Sequence, residues 1–178
     1  MITPMTLTNR LVGVLKLDAP AYEDIESDPR ANTQALTIVI LASLAAGLGA
    51  GLTLGFGGLV RVTIGALAGW VMWAGVTYLL GTRVWPEAQT RTDMGELLRV
   101  IGFSYAPHFF SIFGVLPGVG VLIRIAVNLW LLATTVVAVR QALDYRSTIR
   151  AVIVVMVGWL FWVWSRDFGI PWVWNLLF

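Results

Sequence analysis

This sequence predicts an all-α membrane protein: a bundle of five membrane-spanning helices behind an amphipathic N-terminal arm. Three observations predict it. Of the 178 residues, 58% are hydrophobic and only 12% charged, whereas a soluble domain carries roughly 25% charged residues. Apolar runs approaching the ~20 residues of a membrane helix recur along the chain. Clusters of arginine fall between these runs on alternate turns.

The elements follow in order. Residues 1–35 form the arm, and residues 36–178 the transmembrane domain. Span one covers about 36–54 and span two about 59–80, with Gly55-Phe56-Gly57-Gly58 as a tight turn between them. Span three covers about 97–116, with a kink expected at Pro107. Pro117-Gly118 turns the chain into span four, about 119–139. Span five, about 149–164, is the shortest, at roughly 24 Å of helix. The segment Phe168–Phe178 carries Pro171, Trp172 and Trp174. It is too short to cross, and tryptophan favours the headgroup level, so an interfacial C-terminus is expected.

Charge sets the orientation. Arg10, Lys16, Arg30, Arg83, Arg91, Arg99, Arg140, Arg146 and Arg150 fall on one side, nine cations in all; Arg61, Arg124 and Arg166 fall on the other. The positive-inside rule puts the nine in the cytoplasm, with the N-terminus inside and the C-terminus outside. The first apolar stretch starts late and lacks a signal-peptide layout. Span one is therefore expected to act as the insertion signal, and the cytoplasmic membrane is the expected location.

In the arm, Leu7, Leu11, Val14 and Leu15 recur at helical spacing, flanked by Arg10 and Lys16. This predicts a helix lying on the cytoplasmic leaflet. Asp18, Glu23, Asp24, Glu26 and Asp28 form an acidic cluster, read either as a solvated face or as a docking surface for a basic partner. The acids lack the alternating pattern of a calcium loop.

Gly47, Gly51 and Gly55 fall four residues apart in span one, and Gly65 and Gly69 repeat that interval in span two. Small residues at this spacing let helices approach closely in lipid, either within the bundle or between copies. They are not a nucleotide loop: a third glycine would fall at Leu52 or Val60, and no lysine follows.

Ionisable residues at membrane depth are costly and default to functional hypotheses. His108 and Arg124 are the two here. Folding the spans about Pro117-Gly118 puts His108 level with Asn128, and Ser111 level with Arg124. An interhelical His108–Asn128 hydrogen bond is one expectation, with Arg124 snorkelling to headgroups or pairing with Asp167. The other is a solute path lined by Ser104, Tyr105, His108, Ser111, Arg124 and Asn128. No span contains Asp or Glu to relay protons.

Several classes are excluded. The chain has no cysteine and one histidine. That removes thiolate metal sites and leaves little for haem or iron–sulfur ligation, so no cofactor is expected. Serine triads, aspartyl pairs and His-Glu-x-x-His are all absent, so catalysis is not expected. A net charge of +2 gives no concentrated basic face for nucleic acid.

Short motifs add a resemblance. Leu15-Lys16-Leu17-Asp18 and Tyr22-Glu23-Asp24-Ile25 precede span one, and Ser104-Tyr105-Ala106-Pro107 lies in span three. Pro117-Gly118 sits in the hairpin, and Ser147 with Arg150-Ala151 opens span five. With these the chain resembles the Yip family, the Ypt/Rab-interacting five-span membrane proteins, in its prokaryotic branch. The resemblance implies roles in membrane organisation. Recruitment of small GTPases is not carried over, because the arm is short and lacks the Asp-Leu-Tyr-Gly-Pro motif. Two functions stand: an adaptor, scaffold or accessory subunit organising a membrane protein partner or the surrounding lipid, and a small transporter or channel. A dry packed seam around spans three and four favours the first; a water-filled path past His108 favours the second.

Overall fold

The computed structural model describes residues 5–49 and 55–164, with side chains as far as Leu160. Every regular element among the described residues is helical. They are α1 (Leu7–Leu15), α2 (Ala19–Ser27), α3 (Ala31–Gly49), α4 (Gly55–Leu79), α5 (Met94–Ser104), α6 (Gly120–Ala142) and α7 (Thr148–Trp164). A π-helical turn, Leu80–Val84, extends α4, and a 3-10 stretch, Ala106–Val115, follows α5. Gly51 and the expected interfacial C-terminus, with Arg166 and Asp167, lie outside the described residues.

Local chemistry explains the boundaries. Thr6 caps α1 by accepting from the Asn9 amide at 3.3 Å. At α5, Asp93 accepts from the Glu96 amide while Glu96 accepts from the Asp93 amide, both at 2.8 Å. This reciprocal capping satisfies two orphan donors of the helix start. Gly118 takes a φ of +80° in the turn before α6, a conformation that glycine enters without steric cost.

Three helical segments are long and apolar enough to cross a membrane: Ala31–Leu48, Gly55–Val84 and Gly120–Ala142. The helix Thr148–Leu160 is equally apolar but shorter. The third expected span is not one continuous helix. Where a kink was expected at Pro107, α5 stops at Ser104 and the chain continues as a 3-10 helix of ten residues. Proline lacks an amide proton and its ring crowds the carbonyl four residues back, so the α-helical ladder cannot continue through it. Such long 3-10 runs are uncommon. This one packs between α3 and α6.

The arm departs most from expectation. It does not lie apart from the bundle: Val14, Tyr22 and Ile25 are fully buried in one core with Val39, Trp70, Leu97, Phe103 and Leu143. Trp130 of α6 donates to the Leu15 carbonyl at 3.0 Å. Arg10, expected on the flank of a surface helix, points inward and is 1% exposed. Its Nε meets Asp24 at 2.7 Å, Nη2 meets Asp28 at 2.9 Å, and Nη1 donates to Gln34 at 2.9 Å. One guanidinium thus ties α1 to α2 and α3.

The start of α3, the loop from α4 to α5 and the turn from α6 to α7 meet at the same end of the bundle as this clamp. Thr90 donates to the Leu143 carbonyl at 2.9 Å, Tyr145 to the Trp85 carbonyl at 2.9 Å, and Arg150 pairs with Glu87 at 3.4 Å. The segments carrying Arg30, Arg83, Arg91, Arg140, Arg146 and Arg150 are thereby gathered together. Arg61 and Arg124 belong to the opposite ends of α4 and α6.

Replacing Arg10 by alanine should strip two carboxylates of their shared cation, which typically costs about 3–5 kcal/mol for a buried pair. Arg10→Lys should recover only part, because one ammonium cannot reproduce the planar fork that serves three acceptors. Thermal unfolding in detergent, followed by circular dichroism, reads this directly. An alanine variant melting with the wild type would refute the clamp.

Candidate functional site

Two cavities and one hydrogen-bonded seam hold the polar residues. The first cavity is a cleft of about 600 Å³ at the clamp end. Glu23 and Glu26 come from α2, Glu96 from α5, Arg140 from α6, and Asp144 and Arg146 from the following turn. Asp144 takes a φ of +53° there, which a short polar side chain tolerates better than most. Burial pushes the Glu26 carboxyl up to about 7; Glu96, Asp144 and Glu23 add repulsion, against attraction from Arg99. Arg99, itself 5% exposed, donates Nε and Nη2 to the Glu26 backbone carbonyl at 3.1 and 2.5 Å. It secures the last turn of α2 and leaves the carboxyl facing the cleft.

The five acids of the expected docking cluster therefore separate. Asp24 and Asp28 are taken up by Arg10. The hydrogen bond from Arg10 draws Asp28 down to about 2 against the effect of burial, and Arg30 contributes through its backbone amide and Nε at 3.0 and 3.1 Å. Glu23 and Glu26 line the cleft, and Glu23 accepts from Gln141 at 3.5 Å. Asp18 stands at the start of α2 without capping it through its side chain.

The seam joins α5 to α6. The Ser104 hydroxyl donates to the Ile101 carbonyl at 2.6 Å and lies 3.2 Å from the Thr135 hydroxyl. Thr134 donates to the Ser104 carbonyl at 2.8 Å, and the Tyr22 hydroxyl donates to the Thr134 carbonyl at 3.2 Å. One buried chain of hydrogen bonds thus runs from the arm through α6 to α5. Thr134 and Thr135 were not singled out from the sequence, where Tyr22 appeared only within a family-like motif and Arg99 only among the nine cations. Adjacent threonines inside an otherwise apolar helix were the available signal, since buried hydroxyls require partners.

The second cavity is a groove of about 670 Å³ between α4, α5, α6 and α7. Of the six expected intramembrane polar residues it gathers Tyr105, Arg124 and Asn128. Ser104 belongs to the seam. Ser111 is buried in the 3-10 stretch. His108 does not line the groove; its ring lies 6.1 Å from that of Tyr105, and its buried Nε2 has no hydrogen-bond partner among the described residues. The expected His108–Asn128 bond is not formed, because Asn128 Nδ2 donates to the Arg124 carbonyl of its own helix at 2.7 Å. Arg124 donates to the Gly114 carbonyl at 3.3 Å. The partner proposed for it from sequence, Asp167, lies outside the described residues.

The glycines divide as well. At Gly47 a methyl group would meet Leu59 at 3.3 Å, so α3 and α4 are close there. Gly55 opens α4 at a φ of +60° with open space around it, and serves the turn. Gly65 is buried within α4, and Gly69 is partly buried one turn on. Among the described residues, no three His, Asp or Glu side chains gather closely enough to hold a metal ion.

The family model of the Yip1 domain matches residues 12–165. That is most of the chain, from residue 12 of the arm onward, and the chain belongs to this family. It is a helical membrane protein in a family that is not known for catalysis. No curated protein and no solved structure matches it.

Two outcomes are expected. A Glu26 carboxyl at about 7, against an ordinary 4.5, means the folded state takes up a proton between those values. Its favourable contribution is complete below about 4.5 and is lost as pH rises through about 7. Melting temperature should therefore fall from pH 5.5 to pH 8, by about 1 kcal/mol of stability once solvent screening is allowed for. Glu26→Gln should flatten that fall, and an unchanged profile would refute the assignment. Separately, His108→Leu should be neutral or stabilising by up to about 1 kcal/mol, because it removes an unpaired buried nitrogen. Marked destabilisation in the same assay would show that the imidazole has a partner.

Proposed function

We propose, from its membership of the Yip1 domain family, that the chain is a non-enzymatic scaffold or accessory subunit of the cytoplasmic membrane. In this reading it crosses the membrane five times, with its N-terminus in the cytoplasm and its C-terminus outside. The cleft of Glu23, Glu26, Arg140 and Arg146 receives a charged cytoplasmic segment of a membrane protein partner. Helix lengths are compatible with five crossings. The eleven residues of α5 and the ten of the 3-10 stretch together span roughly 36 Å, against a hydrocarbon core of ~30 Å. The nine cations expected inside are consistent with the cytoplasm lying at the clamp end.

The observation that carries the scaffold reading is the seam. The hydroxyls of Ser104, Thr134 and Thr135 are spent on one another and on backbone carbonyls, so they stitch α5 to α6. Acids and arginines stand side by side in the cleft and suit a partner segment carrying both signs. Complementary charge of this kind favours specificity and register more than raw affinity.

The transport reading draws on one observation, that Arg124 and Asn128 line the groove. It requires a path from there to the clamp end, and the seam and the apolar core lie between.

A photo-crosslinking residue at Glu23 or Gln141, introduced into the tagged full-length chain in its native membrane, tests the scaffold reading. The expected result is one stoichiometric membrane protein, captured at both positions and lost on charge reversal of Arg140 and Arg146. Proton or solute flux through the purified chain in liposomes would overturn the reading in favour of transport.

A further inference from the structure

We propose that the groove between α4, α5, α6 and α7 is a binding site for one anionic phospholipid, its acyl chain in the groove and its phosphate on Arg124. The site lies at the opposite end from the partner cleft and does not depend on that reading.

The walls are apolar side chains: Trp73 of α4, Ile125, Leu129 and Leu132 of α6, and Met156 and Trp159 of α7. Ile125 and Leu129 are 53% and 63% exposed, so the groove opens sideways from the bundle, towards lipid in a membrane-spanning chain. Its volume of about 670 Å³ gives room for an acyl chain along these walls.

Arg124 supplies the charge complementarity. It stands one turn into α6 and lines the groove. One nitrogen, Nη1, donates to the Gly114 carbonyl. The guanidinium has no carboxylate partner among the described residues, so its other donors remain for a ligand. A phosphate answers such a guanidinium with charge-assisted, bidentate hydrogen bonds. Asn128, one turn further in, also lines the groove and donates to the Arg124 carbonyl.

Depth matches as well. From Arg124 to Thr135, which also lines the groove, eleven residues of α6 rise about 16 Å. Half of a ~30 Å hydrocarbon core is ~15 Å. A phosphate held by Arg124 therefore leaves its chain the length of one leaflet along the groove. Free phosphate would use Arg124 alone and leave the apolar walls empty.

The test is native mass spectrometry of the delipidated full-length protein, titrated with phosphatidylglycerol and phosphatidylcholine of identical chains. One retained phosphatidylglycerol per protein is expected, preferred at least fivefold over phosphatidylcholine. Arg124→Ala should bring that ratio near one, and Arg124→Lys should restore part of it. Leu132→Trp or Met156→Trp, each filling the groove, should lower retention of both lipids, provided circular dichroism shows helix content unchanged. Equal retention of the two lipids by the wild type would overturn the proposal. So would a preference that survives Arg124→Ala, binding of inorganic phosphate as tight as that of the lipid, or a dimer whose formation blocks the groove.

Discussion

The Arg10 guanidinium is the constraint on which the arm end depends. It reaches three acceptors on two other elements, Asp24, Asp28 and Gln34, and is almost fully shielded from water. Burial alone would lower its pKa; hydrogen bonds and charge from Asp28 and Asp24 more than offset this and raise it. With α2 fixed by this clamp, Tyr22 can enter the core and reach Thr134, and the Glu26 carbonyl can meet Arg99. The cleft follows, because α2 forms one of its walls. A buried ion pair is weak evidence for stability, since apolar residues could often replace it. Here its consequence is positional: it fixes where a short, otherwise marginal helix docks. A nine-residue helix is not stable alone in water.

Two acids on either side of this clamp obey opposite linkage. Asp28 is drawn down by Arg10, so its contribution is present above the ordinary carboxylate range and is lost only as pH falls towards 2. Glu26 is pushed up by burial and by its acidic neighbours, so its ionisation opposes folding as pH rises through 7. They sit two residues apart, Glu26 in the last turn of α2 and Asp28 just past its end. What separates them is the partner of each carboxylate: a guanidinium for Asp28, and a cleft shared with Glu96 and Asp144 for Glu26.

The helical membrane class was legible because it rests on composition and run length, which need no tertiary information. The gathering of Arg83, Arg91, Arg140, Arg146 and Arg150 at one end was legible too, as a consequence of alternating loops. The state of Arg10 was not. Its spacing beside Leu7, Leu11 and Val14 fits a flanking snorkelled cation as well as a buried one, and only the return of Asp24 and Asp28 in three dimensions decides between them. Pro107 announced an interruption, but whether a proline bends an α-helix or ends it depends on what packs against the next ten residues. Asn128 matched His108 in depth, yet depth fixes only one coordinate. The carbonyl of Arg124 on its own helix was nearer and needed no alignment between helices.

Arginine plays three distinct parts in this chain, set by what each can reach. Arg10 meets carboxylates and becomes a clamp. Arg99 meets a helix-terminal carbonyl, where a cation also suits the negative end of the helix dipole, and becomes a cap. Among the described residues Arg124 meets a single carbonyl beside an apolar groove and retains donors to spare. In the first two the protein completes the coordination itself, so the site is structural. In the third the described residues leave coordination open at the headgroup end of the groove, where the anion at hand is a phosphate of the bilayer itself.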